Sequence, residues 1–141
     1  MTHLLRREFT VELPLEAAWE HLARVTDWPS WARHIKRIDM QSGPLGPDSS
    51  GTICLSNGIK STFSMTEFNP GSNWKWVGGF LWMKVHYDHL FESVSPSQTR
   101  LIWTVDGEGF GVSVIGKLFA RIYNKNLDQA VPRLIQEMQD A

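Results

Sequence analysis

At 141 residues the chain has the length of one compact unit, since domains run to roughly 100–200 residues. Its 42% apolar and 21% charged residues exclude a disordered, collagenous or coiled-coil chain. Fourteen Lys and Arg against fifteen Asp and Glu leave a net charge of −1, with no overall electrostatic footprint for nucleic acid or an anionic membrane.

Taken in chain order, Leu5, Phe9, Val11 and Leu13 share one parity while Arg6, Glu8, Thr10 and Glu12 share the other. That period of two predicts a half-buried strand over 4–13, with Arg7 breaking its apolar side. Pro14 suits the first turn of a helix, and Leu15, Ala18, Trp19 and Leu22 then recur at helical spacing to about Val25. Asp27-Trp28-Pro29-Ser30-Trp31 reads as a second short helix capped by Asp27 or Ser30. Ile35 to Met40 reads as a strand, and Ser42 to Gly51 as a Gly- and Pro-rich loop suited to a flexible lid. Ile53–Ser56 and Ile59–Phe68 flank Asn57-Gly58, which predicts a hairpin with a type I′ turn. Trp74–Val77, a turn at Gly78-Gly79, Phe80–Val94 and Thr99–Val105 complete an antiparallel meander. After Gly111 the period changes to 3.6 and predicts a helix of about eight turns over 112–138. Its apolar stripe is Ile115, Leu118, Phe119, Ile122, Ala130, Leu134 and Met138, and Pro132 is expected to bend or break it. The order is one strand, two short helices, six strands and a long helix, an α+β arrangement in a single domain spanning 1–141.

The stretch LPLEAAWEHLARVTDWPSW, the Gly-rich loop, the hairpin meander, YDHLFE and the long last helix together resemble the SRPBCC superfamily of START-like domains. The nearest branch is that of the polyketide cyclases and dehydrases. The resemblance rests on Pro14, Glu16, Trp19, Asp27, Trp28, Pro29 and Trp31 near the start, and on His89 and Phe91 as a His-x-Phe pair. It implies a helix-grip fold, a seven-stranded curved antiparallel sheet wrapped around the C-terminal helix with a cavity between them. It also implies members that carry lipids or polyketides, that cyclise or dehydrate them, or that bind partner proteins in the manner of chaperone activators. No single catalytic motif comes with it, and fold alone does not settle function.

The residues exclude several chemistries by themselves. His86 and His89 lie three apart on one strand and face opposite ways, while His3, His21 and His34 sit elsewhere, so no metal site is expected. Cys54 is the single cysteine, which excludes an internal disulfide and points to a reducing, cytoplasmic setting. There is no Gly-x-Ser-x-Gly elbow, and Gly107-Glu108-Gly109-Phe110-Gly111 lacks the βαβ context of a phosphate cradle, so no cofactor is expected. MTHLLRREFTVELPL lacks a signal peptide's apolar stretch, and no run of about 18 apolar residues could span a bilayer. Arg33-His34-Ile35-Lys36-Arg37 reads either as a solvated edge or as a site for an acidic headgroup or carrier protein.

What remains is a cavity wall. Met83, Val85, Tyr87, His89 and Phe91 share one strand face, opposite Lys84, His86, Asp88, Leu90 and Glu92. Trp74, Trp76, Trp103, Phe63 and Met65 from neighbouring strands, with Leu118 and Ile122 from the helix, are expected to complete the wall. Tyr87 and His89 are the candidate polar grip on a ligand, and the candidate acid/base pair if there is catalysis. Core filling is the simpler alternative for each tryptophan, and internal hydrogen bonding for His89 and Tyr87. Arg7 and Glu67 could pair with each other, touch a ligand or lie at the rim. The loops at Gly43–Gly51, Gly78-Gly79 and Gly107–Gly111 are expected to gate the cavity. The partner expected is a small hydrophobic molecule, with a homodimer left open.

Overall fold

A computed structural model describes residues 1–41 and 43–140; Ser42, at the start of the expected lid, lies outside the described residues. β1 (Thr2–Val11) leads into α1 (Leu15–Ala23) and a 3-10 helix (Val25–Ser30). β2 (Ile35–Met40), β3 (Ser50–Leu55), β4 (Lys60–Asn69), β5 (Asn73–Phe80), β6 (Met83–Ser95) and β7 (Gln98–Glu108) follow, and α2 (Val112–Asp140) closes the fold. The strands form one seven-stranded sheet in the order β1-β7-β6-β5-β4-β3-β2, every pair antiparallel. Register shifts fall at His3/Leu5 in β1, Ile35/Arg37 in β2, Met65/Glu67 in β4 and Ser93/Ser95 in β6. Such irregularities bend and coil strands, and here they let the sheet curve around α2 in a helix grip.

The concave side carries an aromatic core. Trp19 meets Trp74 edge-on at 5.0 Å, and Trp28 lies 5.4 Å from both Trp31 and Trp76. The short helices thus plug one end of the sheet, and Trp28 Nε1 donates to the Leu22 carbonyl at 2.8 Å. The Glu137 carboxylate on α2 accepts from Ser30 Oγ at 2.7 Å and His21 Nε2 at 2.8 Å, which ties the plug to the helix. Leu127, Ala130, Val131, Leu134 and Met138 of α2 are buried in this core.

Several expectations change. The 3-10 helix begins after Arg24 with no side-chain cap, so Asp27 and Ser30 lie inside it rather than capping it. The β3–β4 hairpin turns on Ser56-Asn57-Gly58, with positive φ at Gly58 (93°) but not at Asn57. Asn57 Oδ1 instead accepts from the Ile59 N–H at 3.0 Å, which suits a three-residue loop ending in a left-handed glycine and not a type I′ turn. Gly78 and Gly79 pair with Val85 and Lys84 inside β5, and the turn comes after them at Leu81-Trp82. α2 runs unbroken through Pro132, which is exposed. Gly51 answers a close approach: a Cβ there would overlap the Asp39 carbonyl oxygen and come within 2.8 Å of Phe63 Cζ.

Candidate functional site

Between the sheet, the 3-10 helix and α2 lies a cavity of about 240 Å³. Ile53 and Leu55 of β3, Phe63 of β4 and Trp76, Gly78, Gly79 and Phe80 of β5 form one wall. Tyr87 and His89 of β6 stand beside them, because Trp76 is the register partner of Tyr87. α2 closes the space with Phe119, Ile122, Tyr123 and Asn126, while Trp28, His34 and Ile35 close its inner end. Ile59, Asn57, Ser61 and Thr62 complete the lining. No Asp, Glu, Lys or Arg is among these residues. Ligand sites of drug-sized molecules run to about 300–1,000 Å³, so this space suits a compact molecule or the apolar part of a longer one.

Three polar tips distinguish this wall. His89 is buried at 5% exposure, and its Nδ1 lies 3.2 Å from the Trp74 carbonyl oxygen. A carbonyl only accepts, so Nδ1 carries the proton and Nε2 keeps a lone pair. Burial pulls the imidazole down to about 4, against a smaller opposing effect of that hydrogen bond, so His89 is neutral at pH 7. Nε2 has no hydrogen-bond partner among the described residues. Tyr87 and Tyr123 face each other with ring centroids 5.8 Å apart. Part of each ring is open to the cavity, yet the depth of the site raises both phenols well above their ordinary range, with burial the main cause. Their hydroxyls also lack partners among the described residues. Burial lowers His34 as well. The result is an aromatic cavity whose polar groups are all uncharged near neutrality.

Of the expected wall, Phe63, Trp76, Tyr87, His89 and Ile122 line this cavity. Trp103 lines an adjoining space of about 30 Å³ together with His89 and Tyr123. Met83, Val85, Phe91 and Trp74 share the inward face but are buried in the packed core. Met65 packs against that core, and Leu118 is half exposed and outside the lining. Arg7 Nη1 donates to Asn124 Oδ1 at 2.8 Å and Asp128 Oδ1 at 2.7 Å, while Glu67 accepts from Asn73; the two do not pair. Gly43, Pro44 and Leu45 lie beside α1 and the 3-10 helix, and no residue of 43–51 lines the cavity. His34 and Ile35 of the basic segment face inward, and Arg37 pairs with Asp39 at 3.0 Å. Sequence reasoning missed Trp28, Phe80, Tyr123 and Asn126 as lining. Tyr123 had a signal, since it follows Phe119 by one helical turn on the same row.

No curated protein matches the chain. The family described as "Polyketide cyclase / dehydrase and lipid transport" matches residues 2–137. Among solved structures, the aromatase/cyclase Zhui from Streptomyces sp. R1128 superposes with a TM-score of 0.71 at 14% identity, covering 95% of this chain and 92% of that one. A START superfamily protein from Mycobacterium smegmatis gives 0.73 at 14% identity, covering 98% of each chain. Hypothetical protein jhp0584 from Helicobacter pylori gives 0.77 at 15% identity over 94% of this chain and 86% of that one. At such identities the likeness shows the fold, and the match across residues 2–137 shows the family. The chain belongs to the family described as polyketide cyclase / dehydrase and lipid transport.

Proposed function

We propose that the chain is a single ligand-binding unit that holds a small, uncharged hydrophobic or amphipathic molecule, lipid- or polyketide-like, in the 240 Å³ cavity. One observation carries this reading: the lining has no charged side chain, yet keeps two phenol hydroxyls and one imidazole lone pair free to orient a hydroxyl or carbonyl. Affinity then comes from buried apolar area and orientation from the polar tips. A carboxylate or ammonium would enter without a compensating charge, which is costly in such a setting.

Acid/base chemistry, as an aromatase/cyclase neighbour invites, is supported only by the same His89 lone pair. With its pKa near 4 that imidazole is a weak base, and the tyrosines are poor acids, so binding is the better fit. Native mass spectrometry of protein purified gently from its own host would show a neutral co-purified molecule. In vitro, N-phenylnaphthylamine should bind more tightly than anilinonaphthalene sulfonate, which has a similar ring frame but a negative charge. Equal affinity for both, with binding untouched by Tyr87→Phe, would remove the cavity reading.

A further inference from the structure

Among the described residues, most of the exposed large apolar side chains fall in the β5–β6 turn, the β7–α2 loop and along α2. Leu81 and Trp82 form the β5–β6 turn and are 68% and 60% exposed, and Phe110, between β7 and α2, is 89% exposed. Trp82 Nε1 donates to the Phe110 carbonyl at 2.8 Å, so the two loops form one surface. Val114, Leu118 and Ile122 continue it along α2 at four-residue intervals, with exposures of 71%, 50% and 51%. Ile122 also lines the cavity, and Phe119 beside Leu118 packs on Phe80 at 5.0 Å. Contiguous exposed apolar surface of this kind marks an interaction site.

The turn tip adds a second argument. Leu81 has φ +56°, a left-handed conformation that a side chain with a Cβ adopts at a cost, at a turn position where glycine is favoured. Its exposed side chain extends the apolar surface at the tip of the turn.

Charge identifies what this surface meets. Lys117, Arg121 and Lys125 form a second exposed row on α2, next to the apolar row, and none forms an ion pair among the described residues. No acidic residue occurs from Gly109 to Leu127. Two nearby carboxylates are engaged, Asp106 with His3 at 3.0 Å and Asp128 with Arg7 at 2.7 Å. The net charge of −1 therefore conceals a local basic stripe. An amphipathic helix with exposed apolar and basic rows, flanked by a tryptophan, has the chemistry of the boundary between lipid headgroups and acyl chains.

We propose that this face, formed by the Leu81-Trp82 turn, Phe110 and the outer rows of α2, docks on an anionic phospholipid bilayer, which brings Ile122 of the cavity lining against the lipid. Docking stands on exposure and charge alone. Only the further step, passage of a neutral ligand between bilayer and cavity without crossing water, rests on the proposed function.

Co-sedimentation with vesicles of phosphatidylcholine, with and without phosphatidylglycerol, tests it. Binding should require phosphatidylglycerol and weaken as salt rises, and Trp82 emission should shift to the blue, a shift that Trp82→Phe removes. The triple variant Lys117→Gln/Arg121→Gln/Lys125→Gln should lose on the order of 100-fold in partitioning, about fivefold for each cation. Trp82→Ser/Phe110→Ser should lose binding with unchanged thermal melting, since both side chains are exposed. Retained binding in both variants, or no binding of the parent protein to either vesicle, overturns the proposal. So does a parent protein that ignores vesicles but forms a dimer that Trp82→Ser/Phe110→Ser disperses. Vesicle binding that survives while no neutral probe enters the cavity would leave docking intact and remove the ligand reading.

Discussion

His89 gives the sharpest prediction, because its burial converts directly into a pH dependence of folding. In the unfolded chain the imidazole titrates near 6.5, while in the fold burial lowers it to about 4. Between those values the unfolded state holds a proton that the native state does not, so stability rises with pH through this window and is lost as pH falls. At pH 4.5 the imbalance amounts to about 2–3 kcal/mol relative to pH 7.5. That would move a urea midpoint by roughly 1–2 M for a domain of ordinary m-value. His89→Gln keeps a neutral donor for the Trp74 carbonyl and removes the titration. The buried tryptophans supply the signal, so urea unfolding followed by their emission at pH 7.5 and 4.5 measures both proteins. Other titrating groups contribute to each and cancel in the difference. The variant should start less stable and fall less steeply, with the two curves converging by about 2–3 kcal/mol. Parallel curves would refute the argument, since His89 would then titrate alike in folded and unfolded chains.

Three further outcomes follow from local geometry. Tyr87→Phe should weaken a neutral probe of the cavity three- to tenfold by fluorescence titration, the worth of about one hydrogen bond to a neutral group, with melting unchanged. Gly51→Ala should cost about 2–3 kcal/mol in denaturant midpoint, because the new methyl overlaps the Asp39 carbonyl, which belongs to the backbone of β2 and cannot swing away. Pro132→Ala should raise stability by about 1–3 kcal/mol, since Pro132 sits exposed in a helix that continues past it; a fall instead would mean that the ring holds a bend on which the packing of α2 depends.

What could be read in the chain depended on whether a signal was local. The inward parity of Met83, Val85, Tyr87, His89 and Phe91 was legible because a period of two leaves no other reading once one face is apolar. Ile35–Met40 stood out between turn residues and matches β2. Gly78-Gly79 misled because a glycine pair inside a strand carries the same signature as a turn, while the true turn at Leu81-Trp82 is written in residues that normally mark a strand. Leu118 was drawn into the buried stripe because it is apolar at helical spacing; in the fold the flanking Phe119 and Tyr123 turn to the cavity, and Leu118 faces outward. Tyr123 and Asn126 became lining through the rotation of α2 over the sheet, a tertiary choice that no window of sequence records. The likeness to START-like proteins supplied the cavity itself, but which wall residues are uncharged and unpartnered came only from geometry.

The strand order has a consequence for how this protein is made. β2 through β7 pair with their neighbours in sequence, so those hairpins can zip as they leave the ribosome. β1 precedes all of them yet pairs only with β7, with Thr2 opposite Gly107. Leu5 and Phe9 must therefore wait, uncovered, until β7 has been synthesised. Closing so long a loop is the slow step expected of non-local pairing, and the waiting strand is the segment most open to a wrong partner. A holdase acting on the nascent chain would find its target in β1, long before the strand that finally shelters it exists.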